Sequence, residues 1–172
     1  MAAIFTVYNG AMATTSSSAK VSTGTSLKTM LQLKLNAGVV GRLIEWGASF
    51  DGSAAATPGI VECLETGTVF GTVTAFVAND ISRVNGDAMQ ISDPTTALVA
   101  VGTSASGYTC TSEGSIAASR LITPPQLVAP TSQQIIQYPL DEEGILIGGN
   151  CYRIRANFGA AISCLCYMKF AI

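Results

Sequence analysis

Nine consecutive residues, Leu27 to Leu35, alternate strictly. Leu27, Thr29, Leu31, Leu33 and Leu35 occupy one parity, and Lys28, Met30, Gln32 and Lys34 the other. Successive side chains of a strand leave opposite faces, so this period of two is strand geometry. A helix would scatter the same leucines around its circumference. The pattern predicts a half-buried antiparallel strand with its leucine face inward.

The signal recurs along the chain. Asn36-Ala37-Gly38 reads as a turn, and Val40 to Phe50 as the next strand, closed by Asp51-Gly52. Simple alternation there places Arg42, Ile44 and Trp46 on one face and Leu43, Glu45 and Gly47 on the other. Further strands are expected at Ile60 to Glu65, Val69 to Val77, Leu98 to Val101, Tyr108 to Thr111 and Ser119 to Ile122. Others follow at Gln134 to Tyr138, Ile145 to Ile147, Cys151 to Phe158 and Ile162 to Phe170. Helical periodicity is weak, and only Asn79 to Val84 reads as a short helix or turn. Many short strands separated by turns indicate an all-β fold: one antiparallel β-sandwich over residues 1–172, jelly-roll-like. Two stretches make poor strands. Asn9 to Ser26 is rich in Ser, Thr and Ala, with Lys20 its charge, and reads as an extended N-terminal arm or loop. Asp87 to Gly107 reads the same way, and both are expected to order against a neighbour.

Composition then narrows the function. Hydrophobic residues make up 48% of the chain and charged ones only 12%, about half the usual share. A bilayer helix needs roughly 20 mostly apolar residues. The long uncharged stretches, Pro94 to Ser112 and Leu121 to Leu140, are broken by hydroxyls, glycines, prolines and glutamines. Burial against partner proteins accounts better for the missing charge. A net charge of −2 gives no basic footprint for nucleic acid. The first ten residues lack a basic leader, so synthesis in a cytoplasm is expected.

Histidine is absent, which removes His-based catalytic triads. Gly144-Ile145-Leu146-Ile147-Gly148-Gly149 lacks the lysine of a phosphate cradle. Asp141-Glu142-Glu143 is a run of acids without calcium-loop spacing and reads as a solvated turn. Glu45 beside Trp46 is the least bland catalytic pair, but strand alternation makes Trp46 a core anchor and Glu45 an outward residue. The five cysteines, Cys63, Cys110, Cys151, Cys164 and Cys166, are odd in number and lack zinc spacing. They read as buried free thiols, with Cys164 and Cys166 on one strand face. No catalytic residue, metal or cofactor is assigned. Arg153 and Arg155 share a strand face, where they can pair with acids on a partner protein or with cross-strand acids of the same chain. They and Lys20 are the partner-contacting candidates.

Two motifs, Ile44-Glu45-Trp46-Gly47-Ala48-Ser49-Phe50-Asp51-Gly52 and Gly149-Asn150-Cys151-Tyr152-Arg153-Ile154-Arg155-Ala156, stand before a last strand ending at Cys166-Tyr167-Met168-Lys169-Phe170. From Val39 onward this arrangement resembles small structural proteins of tailed bacteriophages, in particular capsid decoration (cement) or minor capsid proteins. The resemblance implies a virion protein that binds the major capsid protein on the outside of an icosahedral shell, as a homotrimer. It implies no catalytic residues. The alternatives are a tail or receptor-binding part of a phage, or a carbohydrate-binding module, which would need aromatics clustered on one surface.

Overall fold

In the computed structural model, which describes residues 2–53, 55–84 and 95–172, the described residues form two antiparallel sheets packed as a sandwich. The first sheet runs in the order β10 (Gln133–Gln137), β4 (Val40–Asp51), β13 (Ser163–Ala171), β1 (Ile4–Tyr8) and β7 (Ser82–Arg83). Alongside them, β11 (Gly144–Ile147) pairs with β4 and β2 (Val21–Ser22) with β13. The second sheet runs β6 (Thr72–Ala75), β8 (Gly107–Ser112), β3 (Lys28–Lys34), β12 (Cys151–Asn157), β5 (Gly59–Glu65) and β9 (Arg120–Val128). The chain changes sheet from β2 to β3, β3 to β4, β4 to β5, β6 to β7, β7 to β8, β9 to β10, β11 to β12 and β12 to β13.

Apolar faces of both sheets meet in one core. Phe5, Val7, Leu43, Trp46, Phe50, Met168 and Phe170 come from the first sheet, and Leu31, Leu33, Val61, Cys63, Tyr152 and Ile154 from the second. Burial of such side chains contributes roughly 1.5–3 kcal/mol each. Strand β13 is the clearest case, alternating buried and half-buried along its whole length.

Strand β4 departs from simple alternation. Lys169 faces Glu45 and Phe170 faces Leu43, so Ile44 is an extra residue, a β-bulge. The bulge reverses the phase, and Leu43 and Trp46, three residues apart, are both buried. The Trp46 indole N–H donates to Thr123 Oγ1 at 2.9 Å, tying β4 to β9 across the margin of the sandwich. Glu45 keeps to the other side, where the Tyr167 hydroxyl donates to it at 2.5 Å.

Strand β3 is buried on both faces rather than one. Gln32 lies under the segments around Gly71 and Ala105: its amide accepts from Gly71 N at 2.9 Å and donates to the carbonyls of Gly71 and Ala105. A register shift in the pairing with β12 falls between Leu31 and Thr29. Thr29, expected among the leucines, instead donates through its amide and hydroxyl to Glu113. The turn between β11 and β12 depends on glycine. Gly149 has φ +91°, and a Cβ at Gly148 would stand 2.1 Å from the Asn36 carbonyl oxygen.

Three expectations need correction. Ile4–Tyr8 is a full strand on β13, although its short run gave little signal. Leu98–Val101 is no strand: Leu98 ends a four-residue helix, Thr95–Leu98, and Val99 and Val101 make only isolated bridges. The Ser119–Ile122 strand runs on through Pro124 and Pro125 to Val128, which an outermost strand tolerates.

Candidate functional site

Strand β1 and strand β2 are two halves of one track along β13. Tyr8 faces Tyr167, and Val21 faces Cys164. Thirteen residues of this track therefore pass where β13 advances by three, an excess of ten. The excess is the segment 11–20, exposed throughout. Its ends are fastened. Asn9 is fully buried, donates its backbone N–H to Cys166 O, and grips β13 with its amide through Cys166 N and Cys164 O. Thr23, also buried, exchanges bonds with Ile162. The arm expected over residues 9–26 is thus a ten-residue loop inserted in a continuous strand, and residues 9, 10 and 21–23 belong to the fold.

The loop stands over the outer face of the first sheet. A groove of about 230 Å³ lies there, lined by Tyr8, Ser18, Ser49, Gln133, Ile135 and Tyr167 among others. A second hollow of about 210 Å³, lined by Lys20, Asp51 and Ser163, shares Ser49 and Leu165 with it. Tyr167 lies over Gly47, where a Cβ would stand 2.7 Å from its ring. Burial, then the bond and charge of Glu45, push the Tyr167 hydroxyl up to about 12. It stays protonated and donates. The floor of the groove is aromatic and apolar, and its rim carries hydroxyl and amide groups.

The predicted contact residues fall in three different settings. Lys20, at the loop's return, is exposed and pairs with Asp51 at the end of β4. Arg155 pairs with Glu62, its cross-strand neighbour on β5, at 2.8 Å. Arg153 has no exposed surface at all. Its Nη2 donates to Val69 O at 2.7 Å, its Nη1 to Glu113 O and Oε2, and its Nε to Cys151 Sγ. The expectation that Arg153 and Arg155 present a flat charged face to a partner therefore fails for Arg153. The β6–β8 side of the chain folds over it and uses every nitrogen. The Asp141–Glu143 turn takes no part in these pairs.

All five cysteines are buried and free. Burial pushes Cys63, Cys151 and Cys166 up, and Cys110 up to about 11. A buried thiol held neutral is a weak nucleophile and a weak metal ligand. Among the described residues no group of three or more acids or cysteines is placed to hold a metal ion, and no helix is long and apolar enough to cross a membrane. Of the Asp87–Gly107 loop, residues 87–94 lie outside the described residues. Its remainder packs on β3, where the buried Ser106 hydroxyl bonds the Lys34 backbone on both sides.

Sequence reasoning missed Asn9, Tyr8, Tyr167, Gln133 and Ile135. Tyr8 and Tyr167 are 159 positions apart, and only the β1–β13 register makes them neighbours. Compared with known proteins, the chain matches no protein-family model, no curated protein and no solved structure.

Proposed function

We propose that this chain is a structural protein of a virion, a decoration protein that binds the outer surface of a phage capsid and holds neighbouring shell subunits together. The inserted loop 11–20 carries the reading. A strand that would run unbroken along β13 is interrupted by ten exposed residues, mostly Ala, Ser and Thr, that bury nothing of their own core. Exposed loops held on a rigid scaffold, as this one is by the bond from Met12 N to the buried Asp80 carboxylate, are where binding resides. Small side chains lose little entropy when such a loop is ordered by a partner.

Low charge fits the same reading. The described ion pairs of Arg153, Arg155, Arg120 and Lys20 are all made within the chain. Large apolar side chains such as Leu127, Leu140 and Val40 stay exposed, as suits a surface destined for contact. A jelly-roll connectivity, a homotrimer and the major capsid protein as partner complete the proposal. The experiment is excision of residues 11–20, joining Gly10 to Val21. The expected product folds as the parent does, with β1 and β2 fused, and loses its attachment to capsids lacking the protein. A folded variant that still decorates capsids at parental affinity would sink the reading.

One observation favours a second reading, a carbohydrate-binding module. Tyr8 and Tyr167 are adjacent on the outer sheet face beside Gln133, Ser49 and Ser18. Tyr167→Ala should abolish glycan-array binding if that reading holds and leave capsid attachment untouched.

A further inference from the structure

Sheet edges expose unpaired N–H and C=O groups, and proteins that stay apart blunt them. Among the described residues each margin but one carries such a device. Strands β2 and β7 have two residues each. Strand β6 has four and a register shift. Strand β9 contains Pro124 and Pro125. On β11 the Tyr152 hydroxyl sits on Ile147, bonding its N–H and its carbonyl.

Strand β10 has none. Its sequence, Gln133-Gln134-Ile135-Ile136-Gln137, carries no charge, proline or glycine. Among the described residues it ends the first sheet and pairs only with β4. The bonds Phe50 N to Ser132 O and Tyr138 N to Ile44 O fix its phase. Even-numbered residues of β10 exchange bonds with β4, so the N–H and C=O groups of Gln133, Ile135 and Gln137 point away from the sheet. Side chains of the same three residues are exposed on the groove face, Ile135 to 53%.

We infer that β10 is a self-pairing edge: two copies of this chain join antiparallel across a twofold axis through Ile135, extending the first sheet from one subunit into the other. The occupant is a second copy because the edge is complementary to itself. In that register Ile135 faces Ile135 and Gln133 faces Gln137, giving an apolar pair flanked by two amide pairs. The outward backbone groups of three residues on each copy then satisfy one another in six hydrogen bonds. Twofold contacts require such self-complementarity. Leu140, exposed to 78%, and Ile145 continue the same margin beyond β10. They add apolar area toward the roughly 1,000 Å² that a stable interface needs. Gln133 and Ile135 also line the groove, so pairing would make one groove of two. The inference does not rest on the capsid reading, and a threefold contact elsewhere would combine with it into a hexamer.

Two variants of the full chain test it. Ile135→Cys places thiols across the axis in a bonded antiparallel pair, with Cα atoms about 5.5 Å apart, a spacing that suits a disulfide. Mild oxidation should convert most of the protein to a covalent dimer, whereas Leu121→Cys, on β9, should give little. Ile135→Pro removes an outward N–H that β4 does not use, and should weaken self-association at least tenfold by sedimentation equilibrium. Its fold is checked by circular dichroism, and Ile135→Lys serves if the proline variant does not fold. A parent that is a monomer or a trimer at all concentrations overturns the inference. So does an assembly that the folded variants leave unchanged, or an Ile135→Cys protein that does not cross-link. Capsid attachment is scored separately, so either proposal can fail alone.

Discussion

Replacing Arg153 by alanine is the sharpest test of the structure, because sequence and fold give it opposite roles. As one of two arginines on an exposed strand face, it could be removed at a cost of about 0–1 kcal/mol, screened by salt. The structure instead buries it completely, with Glu113 Oε2 at 3.1 Å from Nη1 and two backbone carbonyls at 2.7 and 2.9 Å. Truncation leaves Val69 O, Glu113 and Cys151 around a void. Glu113 keeps 27% of its side chain exposed, so with the lost carbonyl bonds the cost falls at the lower end of the range for breaking a buried pair, about 3 kcal/mol, still a large share of the roughly 5–15 kcal/mol that stabilise a domain. At this chain length that lowers the melting temperature by on the order of 10 °C. Urea unfolding followed by Trp46 fluorescence reads it, since Trp46 is the chain's one tryptophan and is fully buried. The double variant Arg153→Met with Glu113→Gln should recover part of the loss, because no charge is then left unpaired. Arg155→Ala should cost less, about 1.5–3 kcal/mol, because Arg155 itself keeps some solvent contact and its described bonds go to Glu62 alone. A loss below about 1 kcal/mol for Arg153→Ala, or one that vanishes at high salt, would refute the buried network.

Three further outcomes are expected. Gln134 is buried with neither amide atom bonded in the chain; Gln134→Leu should therefore raise the urea midpoint, by about 1–3 kcal/mol of stability, and a fall would show that the amide has a partner. Stability should be level near neutral pH, where no histidine titrates, and fall from about pH 9 toward 11. In that window the unfolded thiols ionise while the folded ones, raised by burial, stay protonated. A rising urea midpoint there would contradict the burial of Cys110 and its fellows. Gly148→Ala should destabilise strongly in the same assay, because its Cβ meets the Asn36 and Val39 carbonyl oxygens, which are backbone and cannot step aside; tolerance would mean that the turn before β12 is looser than described.

Much of the fold was written in the sequence. Alternation is a local property, so β3, β4, β5, β12 and β13 were legible from their own residues, as were the turns at Gly38 and Gly149 and the anchoring role of Trp46. What neighbours do to a strand is not local. The Ile44 bulge, which turns both Leu43 and Trp46 inward, is set by the register against β13. The cover over β3 and β12 comes from segments 39 or more positions away, and it converts Gln32 and Arg153 from expected surface residues into buried hydrogen-bonding ones. Composition marked residues 9–26 as unlike the rest, but only the pairing of both flanks with β13 shows that ten of them are an insertion and that its immediate flanks belong to the sheet. The candidate site has the same origin: Tyr8, Ser49, Gln133 and Tyr167 carry no motif, and they form a surface because sheet order makes neighbours of residues far apart in the chain. Sequence by itself determined that this chain forms sheets. Tertiary structure decided which faces of those sheets, and which edge, remain open to another molecule.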